Sequence, residues 1–194
     1  MTMSATATAE TLYQRHRLSV DDYERMGQAD ILGEDDRVEL IDGEIIDMPP
    51  IGSPHGGAVK RIANRLARAF SETDAILAVQ DPFRLSDFSE PEPDIALLRP
   101  RDDFYAKSHP RPADVLLLIE VAETSLRYDR DKKLPLYARA SIPECWLVDL
   151  AGQALWIYRD PRSQGYAQVS QAADLSALRP LCLPQAVIDL TGLF

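Results

Sequence analysis

Two acids and a lysine stand where isolated charges are costly, and together they would suit a hard cation and a phosphate. Asp94 opens a short apolar run in Glu90-Pro-Glu-Pro-Asp94-Ile-Ala-Leu-Leu98. Glu120 lies inside Val115-Leu-Leu-Leu-Ile-Glu120-Val-Ala122, a run too apolar for a surface strand and so expected as a buried central one. A carboxylate in that setting needs a partner or a cation. Asp129-Arg-Asp-Lys-Lys133-Leu-Pro-Leu-Tyr137 follows and brings lysines. If the two apolar runs pair as neighbours, both carboxylates converge at one sheet edge. Converging acids with a lysine nearby fit a divalent ion and a phosphate.

The elements that must position these groups can be read from periodicity and turn chemistry. Asp129, Lys133 and Tyr137 are spaced i, i+4, i+8 and share one face of a helix, whereas Lys132 falls about 100° off that face. Pro135 fits only near a first turn or at a kink, which predicts a helix start near Asp129 to Asp131. Arg37 to Met48 reads as a hairpin turning at Asp42-Gly43. Glu39 alternates opposite to Val38 and Leu40, so its side chain leaves the apolar face, where a solvated acid is the ordinary outcome. His55 to Phe70 is expected as a helix with Ala58, Ile62, Leu66 and Ala69 on one face. Lys60, Arg61, Arg65 and Arg68 make it the most basic stretch of the chain, either a solvated face or a surface for phosphates. His55, near the helix start, is either a cap or a neutral ring facing a site. Gly52 to Lys60 lacks the GxxxxGK[ST] order, which excludes a P-loop.

Leu18 to Met26 carries a Ser-led capping pattern and predicts a helix packed on the sheet. Ile76 to Gln80 and Phe83 to Leu85 read as two short strands or one bent one, interrupted by Asp81-Pro82. Residues 99–113 form a polar, proline-bearing loop that could gate the site, with Phe104 and Tyr105 as loop anchors or stacking surfaces. Glu144 to Asp149 and Ala154 to Tyr158 predict a hairpin, and Tyr166 to Val169 extends the meander. The tail from Leu181 to Leu193 adds apolar cover, and Ile188 to Phe194 suggests an interface or edge closure.

The order of these pieces resembles a known family. Arg37-Val-Glu39-Leu-Ile-Asp-Gly43-Glu44, Pro93-Asp94, Leu118-Ile-Glu120-Val and Asp129-(x3)-Lys133-(x3)-Tyr137 lead into Ala138-Arg-Ala-Ser-Ile142-Pro-Glu144-Cys-Trp146-Leu-Val-Asp149. Over roughly residues 18 to 160 this is similar to the Uma2 family (DUF820) of restriction-endonuclease-like proteins, in the PD-(D/E)XK nuclease superfamily. The resemblance implies an α/β (α+β) fold, a restriction-endonuclease-like mixed β-sheet core flanked by helices. It implies that Asp94, Glu120 and the backbone carbonyl of Val121 hold Mg²⁺ or Mn²⁺. Glu39 falls on the acid preceding the Pro-Asp and would hold a water on the metal or a second ion. The superfamily name would place a lysine at position 122, but this chain has Ala122. In Uma2-like chains the lysine appears on the following helix, which points to Lys133. Its implied role is to orient or deprotonate the attacking water or to neutralise developing charge. His55, Tyr137 and Asp129 follow as accessories, Tyr137 holding Lys133 or meeting phosphate. Lys60, Arg61 and Arg65 are candidate nucleic-acid contacts.

Length and composition bound this reading. With 194 residues, 45% hydrophobic and 27% charged, the chain suits one domain, expected over 12–194, behind a disordered tail at 1–11. Met1 to Ala9 lacks the basic start and apolar centre of a signal peptide. No apolar run approaches the ~20 residues needed to span a bilayer. Cys145 and Cys182 lie in apolar surroundings and read as buried free thiols, fitting a reducing cytoplasm. The net charge of −10, from 31 acids against 21 bases, argues against a general duplex-binding surface but not against a locally basic groove. The expected function is metal-dependent hydrolysis of nucleic-acid phosphodiesters by a homodimer. The alternative is a catalytically silent, dimeric binding module on the same fold. A small-molecule hydrolase using the acids and His55 lacks a nucleophile with its base.

Overall fold

The computed structural model describes residues 15–33 and 35–194, so the expected disordered tail at 1–11 lies outside the described residues. In chain order the elements are α1 (Val20–Gln28), β1 (Val38–Ile41), β2 (Glu44–Asp47), α2 (Ser53–Ala69), β3 (Ile76–Val79), β4 (Ile95–Leu98) and β5 (Val115–Ala122). Then come α3 (Leu126–Tyr128), a π-helical turn (Asp129–Lys133), α4 (Leu134–Arg139), β6 (Glu144–Asp149), β7 (Ala154–Arg162) and β8 (Gly165–Gln171). The last six strands form one sheet in the order β3-β4-β5-β6-β7-β8. Every step is antiparallel except β5–β6, which is parallel and needs the α3–α4 crossover between them. This is the mixed α+β architecture the sequence predicts.

The central strand is buried because both of its faces are covered. Leu117, Ile119 and Val121 pack with Trp146, Val148 and the α2 residues Ala58, Val59, Ile62 and Leu66. Leu118 and Ala122 face the other way, onto Leu134, Leu136, Tyr137 and Ile142. Glu120 has the same parity as Leu118 and Ala122, so its carboxylate is on the α4 face. The apolar tail closes the α2 side through Leu178, Ile188, Leu190 and Leu193. Glu144, fully buried, tethers that tail by accepting from Leu181 N at 2.6 Å and from the Arg159 guanidinium. Cys145 is buried and Cys182 partly so, both as free thiols.

β1 and β2 form their own antiparallel pair. Asp42 (φ 51°) and Gly43 (φ 85°) both take the left-handed backbone that a two-residue hairpin needs. Ile41 packs into the α4-side core, which lays this hairpin over the same face of the large sheet that carries Glu120.

Three expectations differ from the structure. Phe83 to Leu85 is not a strand: its N–H groups go to Pro91, Pro110 and Ser89 carbonyls instead of a single neighbour, because Pro82 breaks the ladder beside β3. α1 is not laid on the sheet. Val20 is its buried residue, and it is fastened to the hairpin and the 84–88 turn through Tyr23 Oη to the Val38 carbonyl and Asp21 to Arg84. The 99–113 loop joins the C-terminal end of β4 to the N-terminal end of β5, whereas Asp94 and Glu120 sit at the opposite ends of those strands. It therefore cannot gate them. Phe104 is exposed, and Tyr105 is anchored by the Arg101 guanidinium over its ring and by its hydroxyl to the Arg99 carbonyl.

Candidate active site

Asp94 immediately precedes β4, and because Ile95 pairs with Ile119, Asp94 stands across from Glu120 at the strand ends. The ladder stops there, and the N–H of Val121 would face β4 without a partner. Asp94 supplies it: Oδ2 accepts from Val121 N at 2.8 Å. Gln80, the first residue beyond β3, donates Nε2 to Asp94 Oδ1 at 3.2 Å. His55 in the first turn of α2 brings Nε2 to 3.0 Å from Oδ1. The hydrogen bond to Asp94 raises the His55 pKa against the opposing effect of burial. Of the two expectations for His55, a cap or a neutral ring facing a site, the ring does face the cavity, and Asp94 draws it toward its charged form.

Lys133 meets the two remaining acids. Its Nζ lies 2.9 Å from Glu120 Oε1 and 3.1 Å from Glu39 Oε2. All three residues are nearly inaccessible, at 3%, 3% and 4% exposure for Glu39, Glu120 and Lys133. Glu39 is thus no solvated acid: leaving the hairpin's apolar side, it turns into the space between hairpin and sheet, where the Glu92 N–H also reaches it at 3.2 Å. Lys132 is exposed, as its place on the helix requires. Tyr137, fully buried, donates its hydroxyl to Glu120 Oε1 at 2.6 Å. It therefore orients Glu120, and the expectations that it holds Lys133 or meets phosphate are corrected. Asp129 accepts from Ser125 Oγ at 2.6 Å beside the same lysine.

Burial pushes the Glu120 carboxyl up to about 8, against the pull of Lys133. Burial also pulls the Lys133 ammonium down, but Glu120, Glu39 and Asp129 outweigh it and leave its pKa raised. One ammonium serves two buried acids, so the lysine stays charged while the acids compete for it. Burial raises Asp129 and Glu92 as well.

The local backbone explains how Lys133 reaches this place. The helix begins at Leu126, not near Asp129 as Pro135 suggests, and runs through the proline by widening. Pro135 has no N–H for the carbonyl four residues back, and the Leu134 N–H instead reaches five residues back to the Asp129 carbonyl. The π turn absorbs the missing donor. It also keeps Asp129 and Lys133 nearly in line, so both are buried while Arg130, Asp131 and Lys132 between them are exposed.

These groups line a cavity of about 330 Å³ between the hairpin, the start of α2 and the β5–α3 turn. That is room for a small ligand or one unit of a polymer. Its lining holds seven carboxylates against the cations Arg37 and Lys133. Arg37 is tied to the Pro49 carbonyl at 2.9 Å. Of the basic α2 residues, Lys60 is exposed and does not line the cavity. Arg61 bonds the Gly192 carbonyl and Arg65 neighbours Asp189, so these two serve the C-terminal tail. Among the described residues, no three His, Cys, Asp or Glu side chains are already gathered as metal ligands. Two carboxylates with a strand carbonyl are nevertheless the hard oxygen set that Mg²⁺ takes while keeping several waters.

Sequence reasoning missed Gln80, Glu92, Tyr128 and Ser125. Gln80 was accessible from register, since a residue following a strand paired with Ile95 must fall beside Asp94. Tyr128 and Ser125 carry no spacing signal of their own.

A family model described as "Putative restriction endonuclease", Uma2, matches residues 20–191. Among solved structures, the chain is similar to "a putative nuclease belonging to DUF820 from Anabaena variabilis ATCC 29413", with TM-score 0.70 and 17% identity over 91% of this chain and 97% of that one. At that identity the likeness bears on the fold alone. No curated protein matches the chain.

Proposed function

The chain belongs to the Uma2 family, and from that premise we propose that it is a metal-dependent endonuclease hydrolysing phosphodiester bonds of nucleic acid. The observation that carries this reading is the meeting of Glu39, Asp94, Glu120 and Lys133 in one cavity from four separate elements. Asp94 and Glu120 would hold Mg²⁺ or Mn²⁺, with the Val121 carbonyl, which points to the same strand edge as the Val121 N–H, as a third oxygen. What a divalent ion supplies there is polarisation of the scissile phosphate and hydroxide near neutral pH.

The remaining work falls to the chain itself. Lys133 keeps its proton, so it acts as a compact cation that offsets charge developing on the phosphate and takes no proton from water. Tyr137 and Lys133 both bond Glu120 through Oε1, which fixes the carboxylate and leaves Oε2 outside those bonds. Gln80, His55 and the Val121 N–H fix Asp94 in turn, through both Oδ1 and Oδ2. Glu39 balances Lys133 and, when Glu120 turns to a cation, remains its partner or holds a water. We further propose a single domain over residues 12–194 that works as a cytoplasmic homodimer. Among the described residues no helix is long and apolar enough to cross a membrane.

The acid-rich lining favours a second reading, a non-cleaving dimeric binding module, because without a cation it repels a polyanion. Cleavage of supercoiled, linear and single-stranded DNA with Mg²⁺ or Mn²⁺ separates the two. Wild type is run beside Asp94→Ala and Lys133→Ala. Metal-dependent nicking lost in both variants supports the nuclease. Loss in Asp94→Ala alone removes Lys133 from the machinery, and no cleavage of any substrate leaves the binding module.

A further inference from the structure

Tyr128 ends α3, directly before the π turn, and lines the cavity. Its hydroxyl is buried and bonds to no group among the described residues. Glu39, Asp129 and Glu120 all lie close enough to act on it electrostatically, yet none of them accepts its hydrogen bond. Burial, reinforced by those carboxylates, raises its pKa, so it remains a neutral O–H donor across the working range. A buried donor left unpaired is costly, and such groups are uncommon without a ligand or water to satisfy them. Several donors around the cavity are committed within the protein: Arg37 to Pro49, Gln80 to Asp94, Ser125 to Asp129, and Lys133 to both glutamates. Among the described lining residues the buried side-chain atoms without a partner are His55 Nδ1, whose ring is already fixed through Nε2 to Asp94, and the Tyr128 hydroxyl, whose one donor is still to give.

We propose that Tyr128 is a substrate-binding residue whose hydroxyl donates to one nonbridging oxygen of the phosphodiester entering the cavity. The assignment rests on the nuclease reading and names a contact within it. A phosphate oxygen is the acceptor that matches the site: anionic, delivered with the cation that neutralises the carboxylates, and absent from the protein alone. A neutral phenol suits this place better than another cation would. It adds a donor without competing with the metal for Glu39, Glu120 and Asp129 or drawing them into new ion pairs. It also makes the two nonbridging oxygens inequivalent, because one of them is met by Tyr128.

Tyr128→Phe keeps the ring and removes only the donor. The test compares wild type and Tyr128→Phe in thermal melting without substrate, and in Mg²⁺-dependent cleavage of an oligodeoxynucleotide carrying a single phosphorothioate of defined stereochemistry. The variant is expected to melt no lower than wild type, because the hydroxyl has no partner to lose. Its kcat/KM on the all-oxygen substrate is expected to fall about 10- to 100-fold, the range for a hydrogen bond to a charged group. Sulfur accepts hydrogen bonds poorly, so one diastereomer should slow wild type more than the variant. Cleavage by the variant at the wild-type rate, a loss of activity accompanied by a lower melting temperature, or an unchanged diastereomer preference each overturns the assignment and leaves the nuclease reading standing. If wild type cleaves no nucleic acid at all, the nuclease reading fails and this assignment falls with it.

Discussion

Lys133→Met is the perturbation that most directly tests the account of the buried charges. Methionine has similar length and fits an apolar wall, so the change removes the ammonium with little loss of packing. Glu39 and Glu120, both 3% exposed, then lose contacts of 3.1 and 2.9 Å to their common cation. Breaking a buried pair by removing one partner costs about 3–5 kcal/mol, because a charge is left without compensation. For a chain of this size, about 2–4 °C per kcal/mol translates that cost into a melting temperature lower by about 6–20 °C. The assay is thermal unfolding at pH 7 without added metal, by calorimetry or circular dichroism. The triple change Lys133→Met, Glu39→Gln, Glu120→Gln should recover most of the loss, since neutral amides need no cation and keep their shape. A single variant melting within about 2 °C of wild type would refute the reasoning, since the expected cost is several times larger. So would a triple variant as unstable as the single one, because the loss would then come from packing and not from stranded charge.

Further outcomes follow from the same structure. Glu90 is buried with Oε2 unpartnered among the described residues, and burial raises its pKa; a raised acid contributes stability below its unfolded pKa that is lost as pH rises through the folded one. Glu90→Gln should therefore melt higher than wild type at pH 8 and gain nothing at pH 4, and a gain equal at both would contradict this. Gly43→Ala forces a Cβ into the left-handed region at φ 85° and to 2.6 Å from Arg17 Cβ. Urea unfolding should show about 1–3 kcal/mol lost, and an unchanged midpoint would mean the hairpin turn is softer than described. Mg²⁺ or Mn²⁺ at about 100 times its dissociation constant should stabilise wild type by about 2.7 kcal/mol. Asp94→Asn should abolish that rise, and an equal rise in the variant would move the cation elsewhere. Tyr137→Phe removes the 2.6 Å bond to Glu120 and should cost about 1–3 kcal/mol in urea unfolding.

Much of the architecture could be read locally. The apolar length of Val115–Ala122, the Asp42-Gly43 turn and the meander from Glu144 onward each carry their signal in neighbouring residues, and each appears where expected. Local reading falls short where a residue's partner is remote. Read alone, Glu39 is a surface acid, because alternation says which face a side chain leaves, not what covers the other face; only the family resemblance drew it into the site. The 99–113 loop looked like a gate because it lies between the two acidic strands in sequence. Antiparallel pairing sends it to their far end.

What the sequence determined by itself was which residues had to find partners. An acid inside β5, an acid at the head of β4 and a lysine on the following helix are each too costly to leave alone, whatever the fold. Which partners they found was decided only in three dimensions. The β4–β5 register sets Asp94 opposite Glu120, and the hairpin brings Glu39 from more than ninety residues away in sequence onto Lys133. The π turn beside Pro135 lets a helix carry that lysine inward, and it places the Tyr128 hydroxyl among carboxylates none of which accepts its hydrogen bond. The cost of a buried charge is a property of one residue and its local run of neighbours. The satisfaction of that charge depends on distances of about 3 Å, and those exist only between elements that tertiary packing has brought together.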